Sequence, residues 1–200
     1  MLFLLDVIGS NIIGGTLLII ALTLLNTSTK YFYSHSDDLI VQQNLTSITH
    51  TLEYDLKKMG FGLPENEQVI KQADSTHISY LGDIDRDGTA DTLEFYVGPY
   101  SELSHTQNPN DRFLYRKINS SPSAGFMMGV VTEFKFDYLD QDGILLDTSI
   151  PGNMLAIKMI RITLQVENTS VYGNDPNPQA DEYRTAFWQQ TRLVSRNLRR

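Results

Sequence analysis

From Leu2 to Leu25 the chain reads LFLLDVIGSNIIGGTLLIIALTLL, and from Asn26 to Gly60 it continues NTSTKYFYSHSDDLIVQQNLTSITHTLEYDLKKMG. The first stretch holds one ionisable residue, Asp6, and no lysine or arginine, and the first proline of the chain is Pro64. A helix crosses about 30 Å of hydrocarbon with roughly 20 mostly apolar residues, so this stretch reads as a membrane span despite Ser10, Asn11, Thr16 and Thr23. A secretory signal peptide is the rival, but it would bring a basic n-region and a small-residue cleavage site. A buried core helix is disfavoured because the stretch is apolar on all sides and terminal.

The second stretch has a different pattern. Its apolar residues Val41, Leu45, Ile48, Leu52, Leu56 and Met59 fall at helical intervals of three and four. Asp37 and Asp38 offer a start signal, Lys57 and Lys58 complement the dipole at the end, and Gly60, Gly62 and Pro64 stop the helix. An amphipathic helix therefore follows the apolar one; if the two are continuous they form a rod of roughly 87 Å at about 1.5 Å per residue.

Beyond Pro64 the period changes to two. Strands are expected at His77–Leu81, Thr92–Val97, Phe113–Ile118, Val130–Leu139, Ile144–Leu146 and Leu155–Val166, between turn-rich stretches such as DRDG, NSSPSAG and DQDG. Within Val130–Leu139 the residues Val130, Thr132, Phe134, Phe136 and Tyr138 share one side, which implies an antiparallel sheet with one covered face. The apolar stripe of the helix is the natural cover. The expected class is α+β: a long N-terminal helix, half membrane-inserted and half amphipathic, packed on an antiparallel β-sheet domain. The expected division is 1–29 for the span, 30–62 for the amphipathic continuation and 63–200 for the β-sheet domain.

Composition narrows the function. The 200 residues carry a formal charge of −8 and no cysteine. The acidity argues against nucleic acid as a partner, and the missing cysteines exclude disulfides, thiol nucleophiles and cysteine-ligated metal. The four histidines show no HExxH pattern, and GxSxG, P-loop and GxGxxG motifs are absent. The chain is accordingly read as non-enzymatic. The tail from Tyr183 to Arg200 holds five arginines (184, 192, 196, 199 and 200) and no acid. Its alternation favours a strand, and the arginines read as a solvated sheet-edge cluster or as a contact for an acidic neighbouring subunit.

The sharpest chemical motif is DIDRDGTADTLE, Asp83–Glu94. Carboxylates stand at loop positions 1, 3, 5, 9 and 12 (Asp83, Asp85, Asp87, Asp91 and Glu94), Gly88 stands at position 6, and Thr89 offers a carbonyl at position 7. This is the spacing of an EF-hand calcium loop, so calcium is the expected cofactor. The flanks read as strands, and the rival reading is a hairpin whose acidic turn is merely soluble. A second acidic turn, Asp140-Gln-Asp142-Gly143, has too few ligands for a site and reads as a hairpin turn.

Taken in order, the apolar helix with an early acid, LEYDLKKMGFGLP (Leu52–Pro64), VTEFKFDYLDQDG (Val131–Gly143), IKMIRITLQVE (Ile157–Glu167) and TRLVSRNL (Thr191–Leu198) resemble a minor pilin of the PilW type, and the chain is similar to the J-type minor pseudopilins of type II secretion. The resemblance implies a pilin-like lollipop and a structural minor subunit of a type IV pilus or type II secretion filament, in a tip or priming complex. Its implied partners are other pilin or pseudopilin subunits, and the inner membrane before assembly. It implies a single-pass inner-membrane protein with its bulk in the periplasm, and a cell-surface filament after assembly. The family carries a basic leader ending in Gly, then Phe, and a Glu at the fifth mature position. No such leader precedes Leu2, which suggests an internal start or a trimmed chain; with Leu2 counted first, Asp6 takes the fifth place. The resemblance gives Asp6 an assembly role, pairing with the N-terminal ammonium of a neighbouring subunit; the rival reading places Asp6 at the membrane interface beside the terminus, paired with water. The alternative function is a membrane-tethered, non-enzymatic binding module with a calcium-stabilised β-domain.

Overall fold

Helix α1 runs without a break from Leu2 to Lys57. The computed structural model describes residues 2–64, 66–119, 125–150, 152–168 and 185–193. After α1 come β1 (Ile70–Ala73), β2 (His77–Gly82), β3 (Asp91–Val97), β4 (Arg112–Ile118), β5 (Phe126–Val131), β6 (Glu133–Leu139), the short helix α2 (Asn153–Ala156), β7 (Met159–Glu167) and β8 (Thr185–Leu193). The protein is thus α+β, with every described strand pairing antiparallel. Its contacts divide it into two units, Met1–Leu39 and Ile40–Arg200.

The first unit is helical. Its described apolar side chains, among them Phe3, Ile12, Leu17, Ile19 and Leu24, are exposed on all sides, and the helix is long and apolar enough to cross a membrane. The four polar residues that interrupt the apolar run are satisfied within the helix. Ser10 Oγ and Asn11 Nδ2 donate to the Val7 carbonyl at 3.0 and 2.9 Å, Thr16 Oγ1 to Ile12 at 2.6 Å, and Thr23 Oγ1 to Ile19 at 2.8 Å. Each of the four side chains thus returns one hydrogen bond to a backbone carbonyl three or four residues earlier. Tyr31, Phe32 and Tyr33 follow, all exposed. Asp37 and Asp38, expected to start a new helix, lie inside α1, because nothing in Asn26–Ser36 breaks the first one.

In the second unit the stripe expected from the sequence is the helical side of the core. Val41, Ile48, Leu52, Leu56 and Met59 are buried and Leu45 packs against them. The helix stops where glycine permits it: Gly60 and Gly62 have φ of 71° and 75°, and the Gly60 N–H turns from the helix to the Leu81 carbonyl at 2.8 Å.

The strands form a five-stranded sheet in the order β1-β2-β3-β4-β5 and a three-stranded sheet in the order β6-β7-β8. Alternate residues face the core: Ile78 and Tyr80 from β2, Leu93 and Phe95 from β3, Phe134, Phe136 and Tyr138 from β6, Ile160, Ile162, Leu164 and Val166 from β7. Three expected strands are corrected. Val130–Leu139 is two strands in different sheets, because the chain bends at Thr132, whose N–H bonds to the Gln165 carbonyl at 2.9 Å. The bend reverses the inward parity, so Val131 rather than Val130 is in the core before it. Leu155 belongs to α2 and is exposed, and the last long strand before the tail starts at Met159. Ile144–Leu146 makes only an isolated bridge, Leu139 to Leu145. The short strand β1 was not expected at all.

Candidate metal centre

The β2–β3 connection carries the acidic motif. Its ends are fixed by the ladder, since Gly82 faces Asp91 in the β2–β3 register. Between them Gly88 has φ 88° and Arg86 φ 67°, a left-handed pair that folds the loop back on itself. The result brings Asp83, Asp85 and Asp91 together: one carboxylate oxygen from each lies within 4.8 Å of the others.

These carboxylates are held by backbone donors. Asp83 Oδ2 accepts from the Gly88 N–H at 3.2 Å, Asp85 Oδ1 from the Asp87 N–H at 3.2 Å, and Asp91 Oδ2 from the Ile84 N–H at 2.9 Å. Asp83 and Asp91 are buried and Asp85 is exposed. Asp83 Oδ1 is buried as well and accepts no hydrogen bond among the described residues. The donor set is entirely oxygen, which is the chemistry of hard cations.

The other motif residues stand differently. Asp87 Oδ1 accepts from both the amide and the hydroxyl of Thr89; the hydroxyl first and then the amide hold the Asp87 carboxyl below its usual range. Glu94 lies along β3, opposite Ser79, and its carboxylate faces Lys117 Nζ at 3.5 Å and His77 Nε2 at 3.9 Å. The structure brings together three of the five carboxylates that the spacing selected. Asp140-Gln-Asp142-Gly143 is a turn as expected: Asp140 Oδ1 accepts from the Asp142 and Ile144 N–H groups at 2.9 and 2.8 Å.

Two contributors come from elsewhere in the chain. Asn119, at the end of β4 with φ 55°, donates from Nδ2 to Asp91 Oδ1 at 2.8 Å and exchanges two bonds with the backbone of Thr92. Lys58 Nζ, just past the end of α1, donates to the Ile84 carbonyl at 2.7 Å. Neither carries a local signal, since Asn119 stands in a stretch readable only as a turn. Asp6 lies in the apolar part of α1, exposed. In the tail, β8 agrees with the expected strand and its backbone includes Arg192; Arg184, Arg196, Arg199 and Arg200, and so the charge cluster they were expected to form, lie outside the described residues. Comparison with family models, with curated proteins and with solved structures finds no match to this chain.

Proposed function

We propose that this protein is a structural minor subunit of a type IV pilus or type II secretion filament, held in the inner membrane by the first part of α1 before assembly and joined through it to other pilin or pseudopilin subunits, in a tip or priming complex. The observation that carries the reading is one uninterrupted helix with two characters. Its residues from Val7 to Leu25 expose apolar side chains all round, and its residues from Val41 to Leu56 bury one stripe in a β-sheet core. Such a helix suits an element that exchanges lipid for the helices of neighbouring subunits while its other end stays fixed in a folded domain. The exposed aromatic run Tyr31–Tyr33 stands where an interfacial belt would mark the edge of the lipid. The order of motifs described in the sequence supplies the filament itself.

Asp6 is the residue on which assembly turns. A carboxylate in hydrocarbon is costly unless paired, and the amino terminus of an adjacent subunit would pair it. The test replaces Asp6 by Ala and by Glu in the native cell and scores pilus or secretion function. Loss with Ala and retention with Glu is the expected result. Full function with Ala sinks the reading and leaves a tethered binding module.

A further inference from the structure

We propose that Asp83, Asp85 and Asp91 bind one calcium ion, and that the bound ion locks the residues just past the end of α1 to the β2–β3 hairpin. Three clustered carboxylates alone say little, because acidic turns are common on surfaces. What singles these out is Asp83, 7% exposed, whose Oδ1 is buried with no donor among the described residues. A buried carboxylate oxygen without a donor is destabilising unless a cation meets it. Asp83 faces Asp85 and Asp91, with one oxygen of each within 4.8 Å of the others. Oxygens bound on opposite sides of a calcium ion, at roughly 2.4 Å from it, would stand about 4.8 Å apart. The oxygens already bonded to N–H groups keep a second lone pair for the ion. An irregular loop of carboxylates with room for carbonyls and water suits the variable shell of calcium better than the strict octahedron of magnesium.

The second half of the proposal follows from what the loop touches. The Asp83 N–H donates to the Phe61 carbonyl at 2.9 Å, and Gly60 N–H to Leu81 at 2.8 Å. Lys58 Nζ donates to the Ile84 carbonyl at 2.7 Å. A Cβ added at Gly62 would stand 2.8 Å from the Asp83 Cβ. The turn at 58–62 therefore rests directly on residues 81–84, and an ion that fixes Asp83 fixes the turn. This is a property of the unit Ile40–Arg200 and stands whether or not the chain enters a filament.

The experiment uses the full chain in detergent, stripped with a chelator and titrated with calcium chloride by calorimetry, with amide exchange followed at 58–62. One calcium site is expected, with Kd in the range of about 10⁻⁵–10⁻³ M. At a hundredfold excess over Kd the Tm should rise by roughly 5–10 °C, and exchange at 58–62 should slow. Asp85→Asn, at an exposed side chain, should weaken calcium by about tenfold or more through the lost ligand charge and leave the Tm of the stripped protein unchanged. No calcium heat at millimolar concentration, an equal Tm shift from magnesium, or unaltered affinity in Asp85→Asn overturns the site. Calcium stabilisation without slower exchange at 58–62 overturns the lock.

Discussion

Arg116 of β4 grips Asp55 of α1 with two hydrogen bonds, Nε to Oδ2 at 2.6 Å and Nη2 to Oδ1 at 3.2 Å. Asp55 is 1% exposed, so this forked pair is the polar fastener between the last turns of the helix and the five-stranded sheet. The Tyr80 hydroxyl is buried without a partner among the described residues; burial first and then the Asp55 charge push its pKa well up, so it stays neutral.

Removing Arg116 leaves the Asp55 charge buried and unpaired. Arg116→Ala should destabilise the protein by about 3–5 kcal/mol, read by thermal unfolding in detergent. The double replacement Asp55→Leu with Arg116→Met should cost less than Arg116→Ala alone, because no orphan charge remains. A double variant as unstable as the single would show that the pair does more than neutralise itself.

The approach of hairpin to helix end is tightest at Gly82. A Cβ there would lie 2.5 Å from the Lys58 carbonyl oxygen, a backbone atom that cannot swing aside. Gly82→Ala should therefore destabilise by about 1–3 kcal/mol and speed amide exchange at 58–62. Wild-type stability in this variant would mean that the helix end is not seated on β2.

Asp111 gives a pH dependence with a definite sign. It is 1% exposed and neither carboxylate oxygen has a hydrogen-bond partner among the described residues. Burial raises its pKa, the nearby Thr106 hydroxyl opposes this, and the Glu167 charge adds to it. The folded state thus binds the proton more tightly than the unfolded state, whose aspartates titrate near 3.9. Asp111 lowers stability at neutral pH, and that penalty fades as pH falls through the raised folded value. Asp111→Asn should raise the Tm at pH 7, with the gain shrinking towards pH 4. An unchanged or lowered Tm at pH 7 would contradict this.

The helix was legible because its stripe obeys one rule over its whole length: from Val41 to Met59 each apolar residue sits three or four after the last, and each is in or against the core. The sheets were legible only where the alternation is uninterrupted. The bend at Thr132 leaves the alternation of residue types intact while exchanging sheet and face, so the sequence shows one strand where there are two. The four residues of β1 are too few to show a period. In the acidic loop the spacing identified Asp83, Asp85 and Asp91, but the Asn119 amide and the Lys58 ammonium reach it from distant parts of the chain. Which of the five carboxylates converge was decided by Asp87 closing on Thr89 and by Glu94 continuing along β3 to Lys117, a cross-strand partner that no local pattern announces.

The central claim, that this chain is a filament subunit, is tested most directly by where it is found once the machine is running. Filaments sheared from intact cells and separated from membranes should contain the chain, cross-linked through the first part of α1 to other pilin-like subunits, and should lack it when Asp6 is Ala. A chain that stays wholly in the membrane fraction of cells bearing normal filaments would contradict the account.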